Sequence, residues 1–292
     1  MKSSHECSPG TRCSLQHGLQ LRKLCDVSYH KTRDLSEQCG ILTGATSGVG
    51  RAVAKLLAER GTRLVISGRR ESRLVELASE YPGLLIPLPG DITKSEFQEE
   101  LVEKARVAFG GIDLVIAAAG AGAVGPFSES SLNVVRSVFE IDFFAPIELV
   151  FKSLPQLKNG REPVVVLIGS ILGIHPLPLH SAYAAAKAAI HGFAAAVRPE
   201  LASLGIDVNV AVLGPTKSEF WENLVAGERA SWSQGHPLSA EATATAIVAS
   251  IERGAAGVTP GWRAKAYVFL ARFFPEIIDL TVRWKRRQPR QS

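Results

Sequence analysis

Beyond Cys39 the chain has no cysteine: Cys7, Cys13, Cys25 and Cys39 all lie before residue 40. The body therefore cannot be stapled by disulfides, and a reducing compartment is the default expectation. The spacings among His5, Cys7, Cys13, His17 and Cys25 contain no paired Cys-x-x-Cys knuckle, so no metal is expected. No run of about 18 or more uncharged apolar residues occurs, so hydropathy gives no transmembrane helix. The first residues lack the apolar core of a secretory signal. Internal repeats and low-complexity tracts are also missing. The net charge of +5 is small for 292 residues and does not argue for a nucleic-acid partner. These absences together predict a cytoplasmic protein.

What is present is ordinary globular material, 46% hydrophobic and 21% charged, of a length that suits one large domain. Residues 1–36 are polar and without period, and read as a disordered leader. From residue 37 to about 260 the text alternates. Short apolar runs at 40–42, 63–67, 84–88, 113–118, 164–168 and 206–213 read as buried parallel strands. Between or after them come amphipathic stretches at 49–60, 71–80, 94–109, 134–154 (with a bend expected at Pro146) and 241–251. Strand and helix in alternation with short links give an α/β fold, a doubly wound parallel sheet (Rossmann fold) in a single domain. Residues 214–237, with Trp221 and Trp232, read as a loop-and-helix insert long enough to act as a lid.

Two local patterns carry chemistry. The first strand runs into Thr43-Gly44-Ala45-Thr46-Ser47-Gly48-Val49-Gly50 and then a helix. Strand, glycine-rich turn and helix make a dinucleotide-binding arrangement, because glycines admit a pyrophosphate close to the backbone and the helix start offers free N–H groups. The second strand ends in Gly68-Arg69-Arg70, with no acid before Glu71. An acid there would bond a ribose hydroxyl, whereas arginine suits a 2′-phosphate, so NADP(H) is expected over NAD(H), which remains the alternative. The second pattern is Ser170 at the end of the fifth apolar run, followed by Tyr183 and Lys187 in an alanine-rich helix. The i to i+4 spacing puts phenol and ammonium on one helical face. A cation there would draw the phenol pKa down toward neutrality, and the serine could stabilise charge on the same substrate oxygen.

Taken in order, these residues resemble the short-chain dehydrogenase/reductase family over about residues 40–259. The resemblance rests on the turn Thr43 to Gly50, Asp91 at a strand end, the Ala119-Gly120 pair, and Ser170, Tyr183 and Lys187. It implies hydride exchange between a nicotinamide cofactor and an alcohol or carbonyl; the tryptophans of the insert and the apolar C-terminal stretch point to an apolar ketone or secondary alcohol. Tyr183 would be the acid/base, Ser170 would polarise the substrate oxygen, and Lys187 would hold the nicotinamide ribose and lower the Tyr183 pKa. Thr43, Ser47 and Val49 would line the phosphates, with Gly44, Thr46, Gly48 and Gly50 completing the turn. Arg69, beside Arg70, would face the 2′-phosphate, and Asp91 would sit by the adenine. A homo-oligomer is also implied.

Three positions depart from the family pattern. Ala117-Ala118-Ala119-Gly120 stands for Asn-Asn-Ala-Gly, and Leu213-Gly214-Pro215 for a Pro-Gly turn. Asp142 stands for an asparagine of the proton relay, and would add a charge beside Lys187. That change leaves a second reading open, a cofactor-binding module without efficient turnover. The stretch 261–292 is an amphipathic, basic extension. Its apolar block, Tyr267 to Phe274, reads either as a cover over the substrate mouth or a subunit interface, or as a helix lying on a membrane surface.

Overall fold

Apolar runs too short for helices, bounded by glycine and polar turns, leave their backbone groups to pair with neighbouring strands. A computed structural model, which describes residues 32–228 and 236–287, realises this as one seven-stranded parallel sheet of order β3-β2-β1-β4-β5-β6-β7. The strands are β1 Cys39–Thr43, β2 Arg63–Gly68, β3 Leu85–Pro89, β4 Leu114–Ala117, β5 Val164–Ser170, β6 Asp207–Leu213 and β7 Gly257–Val258. The helices are α1 Gly48–Ala58, α2 Glu71–Glu80, α3 Ser95–Phe109, α4 Leu132–Phe139, α5 Ala145–Leu157, α6 Ser181–Ala202, α7 Ala240–Glu252, α8 Trp262–Phe273 and α9 Pro275–Arg287. The doubly wound Rossmann architecture expected from the alternation is the one observed.

Both faces of the sheet are covered, which is why the strands are apolar throughout rather than alternating. On one face Leu42, Leu64, Ile66 and Ile116 pack against α1, α2 and α7 through Val53, Leu57, Leu77 and Ile247. On the other, Ile41, Val65, Val115 and Leu167 meet α3, α5 and α6 through Leu101, Leu149 and Ile190. Residues one apart on a strand go to opposite layers, as the two-residue period requires. The register aligns Thr43 with Ser67 on one side and Ala117 on the other, and Ser170 with Leu213. The chain reverses its winding between β1 and β4, so the carboxyl ends of these strands open a crevice there.

Four details differ from the sequence reading. β7 is only two residues long, too short to leave a pattern. The expected long helix is two, α4 and α5, joined by a wide π-type turn, Glu140–Phe144, in which the Ala145 N–H reaches back five residues to the Glu140 carbonyl. Pro146 has no N–H for the carbonyl four residues before it, so the ladder changes phase just upstream of the proline. The described part of the insert holds a single short turn of helix, Glu219–Glu222; Trp232 lies outside the described residues. The fold also starts earlier than the predicted boundary, because Arg33 and Leu35 are buried. Residues 1–31, which hold most of the leader with Cys7, Cys13 and Cys25, lie outside the described residues.

Candidate active site

The crevice is a cavity of about 950 Å³, at the upper end of the size range of ligand pockets. The residues expected from the sequence to be catalytic or to bind the cofactor all line it, from Thr43 through Asp91 and Asp142 to Lys187.

At one end lies the glycine turn. Gly44 has φ +75°, and a Cβ on it would stand 2.7 Å from the Ala118 backbone. A Cβ on Gly50 would meet the Gly44 carbonyl oxygen at 2.3 Å. The turn thus needs glycine to fold back against β4 at all. The Thr43 hydroxyl accepts the Ala119 N–H at 3.2 Å and ties the ends of β1 and β4 together. Ser47 precedes α1 without capping it by its side chain. The first N–H groups of α1, at Gly48, Val49 and Gly50, are therefore left for an anion. The turn residues fit a dinucleotide pyrophosphate.

At the end of β2 the two arginines behave differently. Arg69 is exposed at the cavity rim, and no hydrogen bond or ion pair holds its side chain among the described residues. Arg70 is clasped by Glu219 of the insert at 2.5 Å and donates to the Thr46 hydroxyl at 3.1 Å. Glu219 also binds Arg73, and these two guanidinium groups hold its carboxyl below the usual glutamate value. Asp91, after β3, accepts from the Thr93 N–H and hydroxyl at 3.0 and 2.9 Å, which fixes the turn beside it.

The other end is built by β5, α6 and the π-type turn. Ser170 closes β5; its Oγ accepts the Leu172 N–H at 3.2 Å, leaving its own proton free to donate. The buried Lys187 ammonium lies 2.8 Å from Asp142 Oδ1, donates to the Ile168 carbonyl at 3.0 Å, and stands 5.7 Å from the Tyr183 ring centroid. Asp142 is 1% exposed, and its Oδ2 accepts the Ala121 N–H at 3.3 Å. A Cβ on Gly120 would come within 2.9 Å of Asp142 Oδ1, so the Ala119-Gly120 pair gives the carboxylate its space.

The electrostatics differ from the simple picture of a cation lowering a phenol. Burial pushes the Tyr183 phenol above its ordinary value; Lys187 and the Ser170 hydroxyl pull it down, and Asp142 pushes it up again. Burial works against the Lys187 ammonium, but the charge of Asp142, with a smaller part from Tyr183, holds its pKa above the usual lysine value. Burial likewise raises the Asp142 carboxyl, opposed by Lys187 and the Ala121 N–H. Asp142 and Lys187 are thus a buried ion pair, and the Lys187 charge acts on the nearby phenol without touching it.

Two residues in the site, His191 and Phe220, were not singled out in the sequence reading. His191 accepts the Ser170 N–H on Nε2 at 3.3 Å, and burial together with Lys187 keeps its imidazole below the ordinary pKa. It sits one turn after Lys187 on α6, a spacing that could have suggested it. Phe220 packs against Tyr183 with ring centroids 5.4 Å apart. It is held there because the insert pairs with the loop after β4, Val225 N–H to Gly122 O at 2.7 Å and Val124 N–H to Ala226 O at 3.0 Å. Arg263, Ala264, Tyr267, Ile278 and Thr281, from α8 and α9, complete the wall. The Tyr267 hydroxyl donates to the His175 carbonyl at 3.0 Å. These contacts join loops distant in sequence, and no local period marks them.

A family model described as short chain dehydrogenase matches residues 38–229. The human protein "Dehydrogenase/reductase SDR family member 7" is 32% identical over 203 residues, 67% of this chain and 60% of that protein's own length. An uncharacterised oxidoreductase of Staphylococcus saprophyticus is 30% identical over 179 residues, 60% of this chain and 76% of its own. Among solved structures, a short chain dehydrogenase from Burkholderia cenocepacia, in complex with NADP, superposes with a TM-score of 0.73 at 22% identity. That match covers 88% of this chain and all of the other, and at this identity the likeness is one of fold.

Proposed function

The chain belongs to the short-chain dehydrogenase family, whose members use NAD(P), and from that premise we propose that it is an NADP(H)-dependent oxidoreductase interconverting an apolar ketone and its secondary alcohol. The observation that carries the reading is the convergence of Ser170, Tyr183 and Lys187 on one cavity that also contains the glycine turn. The nicotinamide, when bound, supplies or accepts the hydride at the carbonyl carbon. Thr43, Thr46, Ser47 and the first amides of α1 would hold the pyrophosphate side, and Lys187 would hold the nicotinamide ribose. In reduction, Tyr183 donates its proton to the substrate oxygen while the Ser170 hydroxyl donates a hydrogen bond to it. In oxidation the phenolate takes the proton back. Lys187 favours that phenolate, and Asp142 positions Lys187 at the cost of opposing part of its effect. The apolar substrate class rests on Phe220, Leu177, Ile278 and Tyr267 in the wall. Subunit association fits the exposed Phe144 and Phe151, seven residues apart and both uncovered around α5.

The NADP(H) preference rests on Arg69, which is exposed and has no side-chain partner among the described residues, where a carboxylate would favour NAD(H). Separate titrations with NADPH and NADH should show tighter NADPH binding, and Arg69→Ala should remove most of that preference. Equal affinities in the wild type would overturn it. For the chemistry, Tyr183→Phe should lower turnover by about 10²–10⁴-fold, the range for losing a general acid, and leave NADPH affinity unchanged. The buried Asp142–Lys187 pair supports the second reading, a cofactor-binding regulatory module. A wild type that binds NADPH yet reduces nothing in a broad carbonyl panel would favour that module over the enzyme.

A further inference from the structure

The last two helices carry two faces with different surroundings. Toward the body, Ala264 and Ile278 are buried at 6% exposure each, the Tyr267 hydroxyl bonds the His175 carbonyl, and Asp279 pairs with the His175 ring at 3.1 Å. Away from it, Trp262, Phe269 and Phe273 are 73%, 57% and 58% exposed. Their spacing of seven and four residues puts them on one stripe of α8. Phe274, Ile277 and Leu280 continue the uncovered apolar surface across the joint and along α9. Single exposed apolar residues are normal on a protein surface, but a run of large ones along two successive helices marks a contact surface.

Charge indicates what the surface meets. Eight of the chain's 33 basic residues and two of its 28 acidic ones fall in the last 31 positions, a net +6, so the rest of the chain is at −1. One of those two acids, Asp279, is already paired with His175. Lys265 and Arg272 on α8 have no ion-pair partner among the described residues. A second copy of this chain would bring one such basic extension against another and be repelled. An anionic bilayer satisfies the apolar stripe and the basic excess together. No helix among the described residues is long and apolar enough to cross it, and α8, with 12 residues, spans only about 18 Å of a ~30 Å core.

We propose that α8 and α9 dock this protein on the surface of an anionic membrane, with the stripe Trp262, Phe269, Phe273, Ile277 and Leu280 in the headgroup region. The same two helices remain the wall of the cavity, so docking places that wall beside the lipid. The Arg263 guanidinium, 5.3 Å from the Trp262 ring and also lining the cavity, sits where the two faces meet. The inference stands apart from the catalytic reading, since it rests on the outer face alone.

The test is flotation of the full chain with vesicles of phosphatidylcholine alone or phosphatidylcholine with phosphatidylserine. Wild type should float with the anionic vesicles, less with the neutral ones, and less as salt rises. The triple variant Phe269→Ser, Phe273→Ser, Leu280→Ser should lose binding about tenfold or more with its thermal melt and its size by light scattering unchanged. Lys265→Glu with Arg272→Glu should weaken binding to the anionic vesicles selectively. Wild type that stays at the bottom of the gradient overturns the proposal, as does a triple variant that floats like wild type. A triple variant that changes oligomer size also overturns it, since a second copy would then be what covers the stripe.

Discussion

Asp142 is the residue on which the behaviour of the site turns. Its buried carboxylate is offset by Lys187, 2.8 Å from Oδ1, and by the Ala121 N–H on Oδ2. Removing one member of such a pair typically costs about 3–5 kcal/mol, so Asp142→Ala should be strongly destabilising. Asparagine keeps the shape and removes the charge. The sign of its effect on the pH profile follows from the shifts: Asp142 pushes the Tyr183 phenol up and Lys187 pulls it down. Burial still raises the phenol, but without the carboxylate the pull of Lys187 is less opposed, and the phenolate needed for alcohol oxidation forms at lower pH than in the wild type. In Asp142→Asn the rising limb of the oxidation rate should therefore move to lower pH. A profile that overlays the wild type would show that the carboxylate charge does not reach the phenol. The spacing of Tyr183 and Lys187 was readable in the sequence, as was the presence of an acid at 142. The pairing of Asp142 with Lys187 followed from the family resemblance and from no spacing along the chain; the structure adds how the π-type turn presents Asp142 to α6, 2.8 Å from the ammonium.

At the scale of elements, the insert after β6 does two things. It lays Phe220 against Tyr183, and it sends Glu219 to Arg70 and Arg73 at the far end of the cavity. These are partly exposed pairs, and their contribution to stability is small. Their influence on the cofactor is more direct, since a carboxylate on Arg70 competes with any 2′-phosphate for the same guanidinium. Glu219→Gln should raise NADPH affinity several-fold, consistent with one freed charge-assisted contact, while NADH affinity stays nearly constant. Parallel titrations of the two nucleotides check this. An equal rise for both would mean that the variant acts by loosening the insert. The arginines were evident from the sequence, but their different fates were not, because Glu219 lies about 150 residues away.

At the scale of the whole molecule, Arg33 acts as a clamp beneath the sheet. Its guanidinium donates to the Glu162 carbonyl at 2.9 Å and the Ile251 carbonyl at 2.5 Å, and pairs with Asp207 at 2.7 Å. Its own N–H reaches the Glu252 carbonyl at 2.8 Å. One side chain thus joins the turn before β5, the start of β6 and the end of α7. Losing several buried bonds from a charged donor should cost about 2–4 kcal/mol. At the usual proportion for a domain of this size, Arg33→Ala should melt roughly 5–10 °C lower. A melt within a degree of wild type would show that the other contacts of this corner suffice. The residue stands in a polar stretch without period, where nothing in the local text separates an ordered clamp from the leader before it.

The sequence alone determined the alternation of strands and helices, the glycine turn, the absent carboxylate after β2 and the Ser170, Tyr183 and Lys187 set. Each of these is local, a period, a backbone requirement or a short spacing, and physical chemistry acts on it before any distant contact forms. The tertiary structure decided which charges meet. It fixed the distance of the expected Asp142–Lys187 pair, gave Arg70 to Glu219 while leaving Arg69 without a partner among the described residues, brought Phe220 to Tyr183, and chose between the readings open for the apolar tail by making it a cavity wall with an exposed outer stripe. Those outcomes depend on loops and helices converging across the sheet, and Coulomb and burial energies act on distances that no spacing along the chain encodes.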